Sequence, residues 1–349
     1  MAKRVTIKDI ASRTGTSVAT VHRVLYGVDG VSEVLREKVL AEARRSNYRI
    51  DPTASLLRRK ELHVTILLPD AAGPEKYYYQ GLWKGIRQGV RNLSNTRIQF
   101  RYVKTDRGVS EISSALERLY DEADEELDGL ITICDDPDSR LWIQRFIRRG
   151  VRVALVDRGA DIEGLTCSVE TSSEDMAAIA VDLLGRYSLA KPGPLILVNG
   201  PQKRSSYRRY AETVRKDTAA IFPDKEILEI DGYQEEEGWK TLDSLLKSGA
   251  CCGIIASCAR GTMWTCRLLE TLPKEKRPTL IGTDVYPELV PYFDSGILKA
   301  SIYQSHLEHG DKAIRLLYDS FSDYKSDSEV KILGRLSIVT AKNCKYFLD

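Results

Sequence analysis

From residue 61 onward, short apolar runs alternate with stretches of helical spacing, and this alternation constrains the fold more than any other feature. "HVTILLPD" is almost continuously apolar, as a strand buried on both faces must be. Similar runs recur in "IQFRYVKT", "LDGLITICD", "VRVALVDR", "GPLILVNG", "EILEIDGY", "CCGIIASC", "PTLIGTDV" and "LKASIYQ". Between them, apolar residues return at i, i+3 and i+4 in "QGLWKGIRQGVRNL", "SEISSALERLYDEA" and "EDMAAIAVDLLGRY". Strand alternating with helix gives parallel sheets covered by helices. Their tandem order predicts two doubly wound lobes, with the loops beyond the strand C-termini facing a shared cleft. No glycine-rich phosphate fingerprint follows the first strand, so a nucleotide site is not expected.

The first sixty residues read differently. They carry 13 Lys/Arg against 6 Asp/Glu, a charge of +7 in a chain whose total is +2. A basic head on a mildly acidic body suggests a head that meets an anionic polymer. In "TIKDIASRTG", Thr6 and Asp9 form a capping-box pattern and Gly15 supplies a stop. "TSVATVHRVL" is rich in β-branched residues, yet Val21, Val24 and Leu25 recur at helical spacing. Thr16 or Ser17 is placed to cap this second helix, and Gly27 to close it. A third helix follows Ser32, with Val34, Leu35, Val39 and Ala43 as its stripe. Three short helices with a tight turn between the first two make a helix-turn-helix.

These residues closely resemble the lactose-repressor (LacI) family of bacterial transcription regulators. The likeness rests on "VTIKDIASRTGTSVATVHRVLYG" and "VSEVLREKVLAEARRSNY", matched without gaps. In the body, "VDR", "SSYRRYAETV", "LIGTDVYPELVPYFDSGILKASIYQ" and "LSIVTAKNCKYF" are similar to the family's sugar-binding core, which resembles ribose- and galactose-binding proteins. The implied fold is α/β: a small all-α head plus a two-lobed, periplasmic-binding-protein-like core with doubly wound parallel sheets. The implied division is 1–50 for the head, 51–61 for a hinge helix and linker, and 62–349 for effector binding and dimerisation.

The resemblance also assigns residues. The second helix enters the major groove, with Val18 and Ala19 where the family selects its operator; an apolar pair suits thymine methyls. Arg23 can donate two hydrogen bonds to guanine. Thr6, Ser17 and Thr20 suit phosphates, which position without specifying. His22 and Tyr26 depart from the family's usual serine and asparagine. In "DPTASLLRRK", Ala54 and Leu57 fall where hinge residues meet the minor groove, with Leu56 a competitor for the wedge. The expected DNA is a near-palindromic duplex read by a homodimer.

For the effector, the family pattern points to Tyr78 and Tyr79 as aromatic covers, although "KYYYQ" also reads as packing. Asp157 and Arg158 end a strand at the cleft. Arg208 is the family arginine, with Arg209 a near rival, and Tyr233 stacks from the second lobe. Asp284 and Gln304 are the firmest carry-overs, able to accept from and donate to vicinal hydroxyls. In "CARGT" the family's usual polar pair is replaced, and Arg260 adds a positive charge. The effector is therefore expected to be a sugar, a sugar acid or a sugar phosphate.

Other classes fit less well. No nucleophile–base arrangement stands out among the four histidines, so an enzyme is not expected. The seven scattered cysteines show no metal-ligand spacing and suggest a reducing cytoplasm. No cofactor is implied. The start "MAKRVTIKDIA" lacks the apolar core of a secretory signal, which argues against a transport protein. No apolar run is long enough for a membrane span.

Overall fold

The computed structural model describes residues 5–25, 31–46, 48, 61–72, 76–93, 96–106, 108–122, 127–134, 136–157, 162–188, 192–202, 204–232, 235–249, 251–321 and 329–348. For His22, Asp157, Ser188 and Glu235 it describes the backbone alone.

The head holds three helices, α1 (Ile7–Thr14), α2 (Val18–Leu25) and α3 (Glu33–Arg45). The Thr6 amide donates to Asp9 Oδ2 at 2.8 Å, and the Asp9 amide donates back to Thr6 Oγ1 at 3.3 Å, closing the capping box. Gly15 ends α1 at φ +68°, where a side chain would be strained. The Thr20 amide donates to Ser17 Oγ at 3.0 Å, so Ser17 caps α2. Gly27, expected to close this helix, lies outside the described residues. Ile10, Val21, Val24, Leu25, Val39 and Ala43 form the buried centre. Val34 does not join them and is 81% exposed, because Val39 and Ala43 already turn their face of α3 inward. Glu42, itself buried, takes Arg13 from α1 at 3.3 Å and Arg45 at 2.8 Å, tying α3 across to α1.

The body folds around two six-stranded sheets. Lobe 1 contains β1 (Leu62–Pro69), α4 (Lys76–Asn92), β2 (Ile98–Thr105), α5 (Ile112–Glu122), β3 (Leu127–Thr132), α6 (Pro137–Arg148), β4 (Arg152–Asp157) and β5 (Cys167–Glu170). Lobe 2 follows with α7 (Ser173–Ser188), β6 (Leu195–Asn199), α8 (Ser205–Ile221), β7 (Ile227–Asp231), α9 (Glu235–Ser248), β8 (Gly253–Ala256), α10 (Ala259–Glu270), β9 (Thr279–Thr283), α11 (Val290–Asp294) and β10 (Leu298–Tyr303). The chain then returns to lobe 1 as α12 (His306–Ser320) and β11 (Val330–Leu333), and finally to lobe 2 as β12 (Ser337–Val339). The sheet orders are β11-β5-β4-β3-β1-β2 and β12-β10-β9-β8-β6-β7. Every pairing is parallel except β10 with β12.

Strand period two explains the three-layer lobes. In β6, Leu195 and Leu197 face one buried cluster, while Ile196 and Val198 face the other. Helices cover both faces, which is why these runs are apolar throughout. In lobe 1, Trp83 is buried and its Nε1 donates to the Pro69 carbonyl at 2.7 Å. The return helix α12 completes that core with Ala313, Ile314 and Leu317. It lies against α4 at backbone distance. A Cβ on Gly85 would overlap the Leu307 carbonyl, and one on Gly310 would overlap the Leu82 carbonyl.

Three crossings join the lobes: between β5 and α7, β10 and α12, and β11 and β12. They are bonded to one another. The Gly334 amide donates to Glu170 O at 2.8 Å, and Ser305 Oγ donates to Arg335 O at 3.2 Å. Among the described residues, no helix is long and apolar enough to cross a membrane.

Candidate functional site

The head presents one candidate surface, the outward side of α2. Packing turns Val21, Val24 and Leu25 inward. That leaves Ser17, Ala19 and Arg23 exposed and Val18 45% exposed, although valine would pack well inside. Thr20 is half-buried, with its hydroxyl 2.8 Å from that of Ser17. Thr6 is exposed, and its hydroxyl donates to Asp9 Oδ2 at 2.7 Å. The His22 side chain, Tyr26, Ala54 and Leu57 lie outside the described residues. An exposed, basic helix face entered through a tight turn can lie in a DNA groove.

The second candidate site lies where the C-terminal ends of both sheets face each other, as expected for open parallel sheets. Its best-defined corner is Asp284, just beyond β9. Asp284 is 1% exposed and sits at φ +69°. The Asp284 amide donates to Ile302 O at 2.9 Å, and Ser301 Oγ donates to its carbonyl at 2.6 Å. Gln304 Nε2 donates to Asp284 Oδ1 at 3.0 Å, so the structure brings together the two residues singled out as firmest. His306 Nε2 lies 2.8 Å from the same oxygen. Ser305, between Gln304 and His306, is also left-handed, at φ +55°. Left-handed non-glycine residues persist only where the surroundings hold them.

The "CARGT" segment forms the start of α10. Cys258 takes the cap position, where its Sγ accepts from the Gly261 amide at 3.4 Å. Arg260 is half-buried in the first turn. Thr262 locks this turn to β9, accepting from the Thr283 amide at 2.8 Å and donating to Cys258 O at 3.0 Å. At the end of β6, Asn199 Nδ2 donates to Tyr207 O at 3.0 Å, and Ser257 Oγ donates to Asn199 Oδ1 at 2.7 Å. Across the cleft, Lys104 donates to Asp70 at 2.6 Å, and this hydrogen bond holds the Asp70 carboxyl below its ordinary range.

The other expected residues divide. Tyr78 is half-buried, with its ring edge-on to His306 at 4.3 Å. Tyr79 is 3% exposed in the lobe 1 core, the packing alternative left open by "KYYYQ". The first tyrosine of the run reaches lobe 2 instead: Tyr77 stacks on Tyr286 at 3.9 Å and 16°. Beside it, Lys76 pairs with Glu288 at 3.3 Å. Tyr286 donates to Ala259 O at 2.8 Å, and burial pushes its hydroxyl well above the usual range. Arg208 is exposed and Arg209 pairs with Glu174 at 2.9 Å, whereas Arg204, one helical turn nearer the strand end, is 7% exposed. Direction along α8, rather than motif spacing, is the signal that points to Arg204. The Asp157 side chain, Arg158 and Tyr233 lie outside the described residues.

The arrangement holds a buried carboxylate and amide, aromatic rings and arginines between two lobes. It can bind a polar small molecule by hydrogen bonds. Among the described residues, no cluster of His, Cys, Asp and Glu could hold a metal ion.

Comparison with known proteins covers both parts. Residues 6–51 match the model of bacterial regulatory proteins of the lacI family, and residues 72–323 match a periplasmic binding protein domain. The chain is 28% identical to catabolite control protein A of Streptococcus mutans over 72% of each chain. In fold it is similar to the CelR transcriptional regulator in complex with cellobiose, with a TM-score of 0.62 and 18% identity over 97% of this chain and 99% of that one. It also resembles an ABC transporter solute-binding protein from Burkholderia graminis in complex with D-arabinose, with a TM-score of 0.70 and 16% identity over 83% of this chain and 99% of that one. A DNA-reading head with the lacI pattern, joined to a two-lobed binding body, makes this chain a member of the lacI family of transcriptional regulators with a periplasmic-binding-protein-like domain.

Proposed function

We propose that this regulator is a repressor acting on cytoplasmic DNA, and that a sugar or sugar derivative in the cleft controls its operator affinity. The observation that carries the effector reading is the Asp284–Gln304 pair, buried at the junction of the lobes with its carboxylate anchored on one oxygen. A carboxylate beside an amide accepts from and donates to neighbouring hydroxyls. Asp157, Arg158, Arg208 and Tyr233 remain proposed effector contacts, with Tyr78 beside His306; the buried Arg204 is added to them. The half-buried Arg260 favours an anionic group on the ligand, a sugar acid or sugar phosphate, because arginine suits carboxylate and phosphate. No catalytic step belongs to this function: catabolite control protein A and CelR are regulators.

The reading divides the chain at residues 50 and 61. Val18, Ala19 and Arg23, with His22 and Tyr26, read bases in the major groove. Thr6, Ser17 and Thr20 meet phosphates, and Ala54 and Leu57 enter the minor groove from a hinge helix. Two copies read a near-palindromic operator, so ligand and DNA are coupled, and the coupling is reciprocal.

A thermal-unfolding scan against neutral sugars, sugar acids and sugar phosphates tests the effector. A ligand bound only to the native state adds about 2.7 kcal/mol at a hundredfold excess over its Kd. One sugar class should raise the midpoint, and Asp284→Asn should remove that rise. No rise with any class would reject a sugar effector.

A further inference from the structure

We infer that His306 is a positioning residue, which holds the Asp284 carboxylate from lobe 1 and passes its state into the α4/α12 helix pair. The inference rests on the effector reading for what Asp284 meets, while the link itself belongs to the fold. Asp284 hangs from lobe 2, beyond β9. His306 is the first residue of α12, which packs in lobe 1. The two side chains meet at 2.8 Å, a close contact that lies off the hydrogen-bonding direction of the ring, and both are almost completely buried.

A buried carboxylate is costly unless its oxygens are paired. Here both neighbours fall on Oδ1, the Gln304 amide at 3.0 Å and His306 Nε2 at 2.8 Å. Among the described residues Oδ2 has no partner, and it is the oxygen left for a ligand. A hydroxyl that turns the carboxylate through Oδ2 therefore moves Oδ1 against His306.

His306 has little room to give. Its ring lies edge-on to Tyr78 at 4.3 Å and to Tyr303 at 5.5 Å. Its Cβ is so near α4 that a Cβ on Gly81 would stand 3.1 Å from it. The backbone is held at both ends of the link, since Asp284 and Ser305 are left-handed. Behind His306, α12 is seated on α4 through Gly85 and Gly310. Tyr78 and Gly81 are thus the first lobe 1 residues to feel a turn of Asp284. Gln304, the other partner of Oδ1, belongs to the crossing segment itself and makes no described contact with α4.

The test needs no effector. Backbone amide signals of Tyr78 and Gly81 are recorded by NMR on the full chain, for wild type, Asp284→Asn, His306→Phe and the double variant. Asp284→Asn should shift both signals. In the His306→Phe background the same change should shift them by at most about a third as much, because neighbours on one path are not additive. Equal shifts in both backgrounds, or none in either, would overturn the link. Melting midpoints check that each variant folds, and His306→Leu takes the place of Phe if that variant does not. A sugar-induced midpoint rise that survives Asp284→Asn would remove the effector reading at this residue, and the NMR cycle would still judge the link.

Discussion

Arg23 stands exposed on α2 beside the exposed Ala19 and the 45% exposed Val18. Replacing it by alanine should cost about 1–3 kcal/mol of discrimination at one base pair, the worth of a bidentate arginine–guanine contact. Selection of tight binders from a randomised duplex pool, compared with the wild type, measures this. Unchanged preference at every position would take Arg23 out of the readout. His309 makes a different prediction. It is 0% exposed, and burial pushes its imidazole down to about 3, with His306 and Lys312 adding repulsion. The unfolded chain therefore binds a proton there that the folded chain refuses. The site is without effect above the unfolded value of 6.5 and destabilises progressively as pH falls toward 3. From pH 6.5 to 5 its share of the loss is about 2 kcal/mol, at ~1.4 kcal/mol per unit. Denaturant unfolding at the two pH values should show His309→Met sparing most of that loss.

Among the elements, the α4/α12 contact is the most demanding. Gly85→Ala puts a methyl group into the Leu307 carbonyl, so the helices must part. Overpacking of this kind costs about 1–3 kcal/mol, and the unfolding midpoint in urea should fall accordingly. A full-stability alanine variant would show that the pair can slide. This contact was not legible in the sequence. Periodicity identifies α4 and the strands β1–β4 and β6–β10, because burial on one or both faces writes itself into apolar spacing. It says nothing about which helix returns to which lobe. The short strands β5, β11 and β12 also escaped: β5 is buried throughout, but Ser168 and Glu170 break its apolar run, and β11 and β12 have four residues or fewer with exposed positions. At the site, Asp284 with Gln304 was legible from motif, whereas His306, Tyr77 and Arg204 were not. Their roles depend on partners far along the chain and on which end of a helix meets the cleft.

At the scale of the whole molecule, the lobes touch away from the crossings through Tyr77 on Tyr286 and Lys76 with Glu288. These contacts favour the lobe spacing seen here, and a lone exposed ion pair contributes little to it. The stack dominates, because a stacked aromatic pair is worth about 0.5–1.5 kcal/mol beyond its buried area. Tyr77→Ser should widen the molecule, read as a larger radius of gyration in small-angle scattering, while Glu288→Gln should change it little. If both variants scatter like the wild type, the crossings alone fix the spacing. A native mass measurement addresses the proposed assembly: two chains per operator duplex are expected, and one chain per duplex would reject the two-fold reading.

The return of α12 and β11 to lobe 1 has a consequence for how the protein is made. Lobe 2 can complete its central strands once β10 has left the ribosome. Lobe 1 begins earlier in the chain, yet it lacks the helix that seats on α4 and covers Gly129 until residues 306–320 have been synthesised. Its first five strands therefore wait, with one apolar face uncovered, while lobe 2 is translated as far as β10. Domains usually mature from the N-terminus during synthesis. In this chain the cores close out of order: lobe 1, encoded first, receives its covering helix only after the central strands of lobe 2, and the edge strand β12 of lobe 2 comes last of all.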